Sequence, residues 1–150
     1  MKKKIGIHWF RNDLRTIDNP SLNHLSRNYD NVLGVYIFDE VNIDPKLGSA
    51  SKVWLNHSLK YLKKQLNGNL IILKGNPKEC FDELINFFDV QEVSWNRCYE
   101  PWIIKRDKSL KIYLNEKIKV NSFNGSLLWE PWEILKNDGT PYKIFTPFYK

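Results

Sequence analysis

Between Leu70 and Trp95 the chain reads LIILKGNPKECFDELINFFDVQEVSW. Leu70-Ile71-Ile72-Leu73 is an apolar run of strand length, and Asn76-Pro77-Lys78-Glu79 then opens a helix. Asn76 can cap it. Pro77 suits the first helical position, where its missing N–H is no loss, and Glu79 can return a capping-box bond. Phe81, Leu84, Ile85 and Phe88 fall on one face of the helix, and a second apolar run follows at residues 92–95. Strand, helix and strand in this order require a crossover connection, which places the two strands parallel.

The same rhythm extends outward in both directions. Apolar runs of strand length occupy residues 5–10, 32–38 and 119–123. Leu55, Leu59, Leu62 and Leu66 recur at i, i+4, i+7 and i+11, which predicts a helix over 51–66 that ends at Gly68. Asp18-Asn19-Pro20 starts a short helix carrying Leu22 and Leu25, and Pro101 stands in the first turn of a helix reaching about residue 115. The predicted order is βαβαβαβαβ. It implies an α/β fold of the Rossmann-like, doubly wound kind: a five-stranded, mostly parallel sheet with helices on both faces. Such sheets bind ligands outside the carboxyl ends of their strands, here the loops after Phe10, Phe38, Lys74, Asn96 and Phe123.

Residues 125–150 break the rhythm. Trp129, Trp132, Tyr142, Phe145, Phe148 and Tyr149 lie among Pro131, Pro141 and Pro147, a density of rings that needs a surface to bury against. The expected organisation is an α/β domain over 1–124 and an aromatic connector over 125–150.

Composition narrows the function classes. The 150 residues are 42% hydrophobic and 27% charged, enough apolar matter for one core and too much charge for a membrane span. Met1-Lys2-Lys3-Lys4 has the basic start of an export signal, but the apolar run behind it stops at Arg11. Cys80 and Cys98 form no Cys-x-x-Cys pair, which argues against a zinc site or a disulfide framework and for a reducing cytoplasm. Lysines and arginines exceed acids by 23 to 17, a net charge of +6 that permits contact with nucleic acid. Many of those lysines, including Lys60, Lys63, Lys64, Lys105, Lys108 and Lys111, read as solvated helix faces.

Absent motifs narrow the classes further. Neither G-x-x-x-x-G-K-[ST] nor G-x-G-x-x-G occurs, and the loop after the first strand is instead the bulky Arg11-Asn12-Asp13-Leu14-Arg15. It cannot wrap closely around a pyrophosphate. His8, His24 and His57 have no spacing that makes a metal site or a nucleophilic triad, and His8 reads as structural.

Four segments stand out: residues 9–15 (WFRNDLR) with 18–22 (DNPSL), residues 47–59 (LGSASKVWLNHSL), residues 96–102 (NRCYEPW) and residues 139–148 (GTPYKIFTPF). Together, in order and spanning nearly the whole chain, they resemble the photolyase and cryptochrome family. The resemblance implies the N-terminal antenna-chromophore domain of a deoxyribodipyrimidine photolyase. In such a protein a light-harvesting pigment passes excitation to FAD in a C-terminal helical domain, which also binds damaged DNA. The expected partner is that domain, absent from this chain, and the chain is read as a fragment without catalytic residues or repair activity of its own.

The pigment needs an apolar slot for a flat ring and a few polar groups to orient it. Phe38 and Asp39 after the second strand, Ser51 and Lys52 at a helix start, and Tyr99 and Glu100 after the fourth strand are the candidate antenna-binding residues. Asp39, Ser51 and Glu100 also have a plainer use as caps. Trp102-Ile103 stands where folate-binding members resemble an Asn-Glu pair, so the resemblance favours a deazaflavin or FMN over folate. Arg11, Asp13, Arg15 and Asn19 are read as structural and interdomain residues, the first three as an ion-pair cluster shaping their loop. Trp95, Trp102, Trp129 and Trp132 are read as core or interface and not as electron carriers. Two alternatives stay open: a cryptochrome-type blue-light signalling domain, and a stand-alone nucleotide-binding α/β module.

Overall fold

Five strands alternate with four long helices in a computed structural model that describes residues 4–39, 41 and 47–149. The order is β1 (Lys4–Phe10), α1 (Pro20–Asn28), β2 (Val32–Phe38), α2 (Ser49–Gln65), β3 (Leu70–Lys74), α3 (Pro77–Phe87), β4 (Asp89–Asn96), α4 (Pro101–Asn115) and β5 (Lys119–Phe123). A single turn, α5 (Phe145–Tyr149), ends the connector. The basic opening at residues 1–3 lies outside the described residues.

The sheet runs β3-β2-β1-β4-β5, and every neighbouring pair is parallel. "Mostly parallel" therefore becomes wholly parallel among the described residues. The order reverses between β1 and β4, so the gap above their carboxyl ends is the topological switch point.

Two helix caps follow the sequence reading closely. Asn19 accepts from the backbone N–H of Leu22 at 3.1 Å, and Asn76 from that of Lys78 at 2.9 Å, each ahead of a proline in the first turn. Elsewhere two element starts differ from it. α2 begins at Ser49 behind Gly48, whose lack of a side chain leaves the start uncapped, so Ser51 sits in the first turn and caps nothing. β4 begins at Asp89, three residues ahead of the apolar run. Asp89 and Val90 pair with Lys4 and Ile5, and the register then slips so that Gly6 faces Glu92 and Gln91 is skipped.

Alternation along β1 builds both faces. Ile5, Ile7 and Trp9 point into one core with Phe81 and Leu84 of α3 and Leu110 and Leu114 of α4. Phe10 joins Leu59 and Leu62 of α2 and Leu70 on the opposite face. Gly6 belongs to that second face, where a Cβ would stand 2.9 Å from both Leu25 Cδ2 and Tyr29 Cδ2. Glycine there lets α1 pack directly onto the strand.

Beneath α1 the sheet is polar. Buried His8 meets Ser21 Oγ at 2.9 Å through Nδ1, and Ser21 Oγ lies 2.7 Å from Ser94 Oγ. Fully buried Glu92 accepts from His24 Nε2 at 2.8 Å, Asn121 Nδ2 at 2.8 Å and Tyr29 Oη at 3.1 Å, and pairs with Lys119 Nζ at 3.1 Å. Burial pushes the Glu92 carboxyl up, but the bonds from Asn121 and Lys119 and the nearby His24 outweigh it and hold the group below its ordinary range.

Candidate functional site

Asn96, the last residue of β4, organises the switch point. Its Nδ2 donates to Asp13 Oδ2 at 2.5 Å and to Asn19 Oδ1 at 2.8 Å, while its Oδ1 accepts from the backbone N–H of Ser21 at 3.1 Å. One amide thus ties the loop after β1 to the start of α1. Gly125 passes over it so closely that a Cβ would lie 2.6 Å from Asn96 Cγ, and the Gly125 carbonyl accepts from Arg15 Nη2 at 2.6 Å. The chain leaving β5 is held against the first loop by these contacts.

Arg11, Asp13 and Arg15 do shape their loop, but without pairing with one another. Asp13 accepts from the backbone N–H of Arg11 at 3.1 Å and from Asn96, and Arg15 is engaged by the carbonyls of Asp18 and Gly125. The Arg11 guanidinium instead crosses to α4, donating to Asp107 and to the Asn96 carbonyl. Asp13 is taken up by the Arg11 backbone N–H and the Asn96 amide, and α4 offers Arg11 a carboxylate in Asp107.

From Asp107 the charges continue as a chain under α4. Arg106 donates to Asp107 Oδ1 at 2.8 Å and to Asp39 Oδ2 at 3.1 Å, and Asp39 is only 3% exposed. Both guanidinium groups lie over the Trp9 ring, Arg11 at 5.0 Å and Arg106 at 4.9 Å from its centroid, and Arg106 also stands 5.4 Å from Trp102. Asp39, Arg106, Asp107 and Arg11 therefore run from the end of β2 to the end of β4. Removing one member would strand a partly buried charge, a loss of about 3–5 kcal/mol. Trp9 Nε1 and Arg11 Nε are buried here without a hydrogen-bond partner among the described residues.

A third cluster joins the connector to the sheet. Arg97 Nε donates to Glu130 Oε1 at 2.9 Å and Tyr99 Oη to Glu130 Oε2 at 2.8 Å, while Arg97 Nη1 reaches the Ser122 carbonyl at 2.5 Å. Burial, then the bond to Glu130, raises the Tyr99 phenol above its ordinary range. Glu130 is 4% exposed, so the first part of the connector packs on the α/β unit.

Two clefts flank these chains. One, of about 450 Å³, opens at the switch point between Asn12, Asp13, Arg15, Arg97, Tyr99 and Glu100. The other, of about 530 Å³, lies between the start of α3 and the outer side of α4, against Pro77, Lys78, Trp102, Lys105, Arg106 and Tyr113. The residues expected to bind one ligand are not brought together: two line the first cleft and none of the other four lines the second. Tyr99 and Glu100 line the first, and Glu100 occupies the cap position of α4 without a side-chain cap bond. Asp39 reaches the second through Arg106, and Lys52 Nζ sits 5.6 Å from the centroid of the Phe38 ring. Ser51 is exposed on α2.

Asn96, Arg106, Asp107 and Glu130 were not legible as site residues. Asp107 is the sole acid of α4, the one hint that it has a partner elsewhere. Among the described residues no group of His, Cys, Asp and Glu could hold a metal ion, and no helix is long and apolar enough to cross a membrane.

Fold and clefts define a class: an open, parallel α/β unit whose carboxyl edge carries charged and aromatic side chains in place of a glycine-rich phosphate loop. The chain belongs to the DNA photolyase family, whose pattern its residues 6–150 match. It is 38% identical over 148 residues to the deoxyribodipyrimidine photo-lyase of Agrobacterium fabrum, covering 96% of this chain and 30% of that protein. It is 36% identical over 158 residues to cryptochrome-2 of Arabidopsis thaliana, covering all of this chain and 25% of that one. A bacterial class III photolyase from Agrobacterium tumefaciens superposes with a TM-score of 0.88 at 35% identity, over 99% of this chain and 31% of that one. An archaeal photolyase from Sulfolobus tokodaii, solved with two FAD molecules, shares the fold at a TM-score of 0.74 and 24% identity. The chain thus spans less than a third of the length of the Agrobacterium and Arabidopsis relatives, and corresponds to the N-terminal α/β domain of the photolyases.

Proposed function

We propose that this chain is the α/β part of a deoxyribodipyrimidine photolyase and holds a flat light-harvesting chromophore. The chromophore's excitation passes to FAD in a helical domain that is not among these 150 residues. The observation that carries the reading is the likeness to the class III photolyase, 35% identical with a TM-score of 0.88. It favours repair over cryptochrome-type signalling. Residues 1–124 form the domain and 125–150 lead towards the helical one, which alone would contact the DNA lesion.

The residues at the carboxyl edge fit such a pigment. Trp102 offers an indole that is 39% exposed, and Arg106 is pinned between it and Trp9 by Asp39 and Asp107. Lys78 and Lys105 line the same cleft and suit an acidic tail. Of the residues expected from the sequence, Asp39 serves this cleft by holding Arg106, Tyr99 and Glu100 line the neighbouring cleft, and Phe38, Ser51 and Lys52 line neither of the two. Arg11, Asp13, Arg15 and Asn19 hold the loop that faces the helical domain. The bound pigment supplies light absorption and energy transfer, and the protein need only bind, orient and partly dry the ring. Ile103 is 6% exposed and turned into the core, so that half of the folate-type pair has no access to a ligand. A deazaflavin or FMN is the better occupant.

Titrating the chain with FMN, a deazaflavin and a reduced folate, followed by ligand fluorescence, tests the assignment. A flavin-type ligand is expected to bind best, and Trp102→Ala to weaken it about threefold to tenfold, the worth of one ring contact. Preference for the folate would overturn the occupant, and indifference to Trp102→Ala the site. Blue light with a dimer-containing oligonucleotide is expected to give no repair by the chain alone.

A further inference from the structure

We infer that the outer face of α2 is a binding stripe for single-stranded nucleic acid. Leu55, Leu59, Leu62 and Leu66 turn the opposite face of the helix to the sheet. On the outer face Trp54 and Tyr61, two turns apart, are 77% and 64% exposed, with Val53 beside them at 59%. His57, Lys60 and Lys64 occupy the same face and are all exposed. The helix contains no acidic residue, and among the described residues neither Lys60 nor Lys64 has an ion-pair partner.

A solvated helix face explains the lysines but not two large rings standing in water between them. The pairing of flat rings with unneutralised cations matches what a single strand offers, phosphates outside and base faces free to stack. Seven helical steps take Trp54 to Tyr61, a rise of about 10.5 Å, which spans about three nucleotides at roughly 3.4 Å each. An anionic membrane is a poorer match. Membrane-surface helices bury a continuous apolar face, and here the continuous apolar face is already spent on the sheet. The stripe lies on a different helix from the Trp102 cleft and does not depend on a chromophore being bound there.

The test uses the whole 150-residue chain with a fluorescein-labelled oligo(dT), titrated by anisotropy at several salt concentrations. Binding is expected to weaken with salt, and Trp54→Ala and Tyr61→Ala each to lower affinity about fivefold or more. Lys60→Gln with Lys64→Gln is expected to flatten the salt dependence, by about 0.7 for each phosphate no longer neutralised. Lys108→Gln with Lys143→Gln removes the same charge away from α2, at two exposed positions, and is expected to leave binding unchanged. Because all these side chains are exposed, circular dichroism should stay that of the parent chain. No binding, equal losses from both lysine pairs, or no response to Trp54→Ala would overturn the stripe. So would tighter binding to phosphatidylserine vesicles than to the oligonucleotide.

Discussion

His8 shows how one side chain can carry a pH dependence without doing chemistry. It is fully buried between Ser21 and Asn19, and burial pushes its pKa down to about 4, against the pull of Asp13 and with a smaller push from Arg11. In the unfolded chain the ring returns to about 6.5. As pH falls between those values the unfolded chain takes up a proton that the native state refuses. The stability contribution is therefore complete above about pH 6.5 and declines towards pH 4, by about 3 kcal/mol in all. Urea melts at about pH 7.5 and about pH 5 should show this loss in the parent chain and a smaller one in His8→Gln. Equal losses in both would sink the assignment. The histidine's structural role was legible from its strand position, but Asn96 was not recognisable as a hub, since its partners lie in segments 75 to 83 residues away.

At the scale of elements, legibility followed local chemistry. Pro-led helix starts at Pro20 and Pro77 could be read closely, and that at Pro101 to within its first turn, because capping and proline's missing N–H act within one turn. The start of β4 could not, because Asp89 and Gln91 break the apolar run and only pairing with β1 makes them strand. The connector is the element least legible in advance. Glu130 draws it onto Arg97 and Tyr99, and Trp132 stands 5.7 Å from the Arg97 guanidinium. Glu130→Ala should free this segment, raising the rate of tryptic cleavage at Lys136 by roughly tenfold or more, the worth of bonds to a charged group. The helices α1–α4 should keep their circular dichroism. Unchanged cleavage would mean that the connector is held elsewhere.

For the molecule as a whole, the notable quantity is apolar surface left in water. Leu128 is 82% exposed, Trp129 54%, Phe145 69% and Tyr149 79%, all on the connector. Single exposed apolar residues are ordinary, but several large ones on one short segment seek cover. In sedimentation velocity the chain is expected to show a concentration-dependent apparent mass, and Leu128→Asp with Phe145→Asp to return it to monomer. A monomer at every concentration would show that the connector satisfies itself. In the proposed photolyase the helical domain would take this place.

The sequence by itself determined the strand and helix order, the absence of a phosphate loop and the family resemblance. All of these are written in periodicity, caps and short motifs that act within a few residues. Tertiary structure alone decided which distant charges meet. Asp39, just after β2, reaches Arg106, and Asp107 turns to Arg11 of the first loop, because the order β3-β2-β1-β4-β5 brings three strand ends together under α4. Charges 67 and 96 residues apart carry no local signal of pairing. Only the folded sheet supplies the low exposure and the short distances that join them.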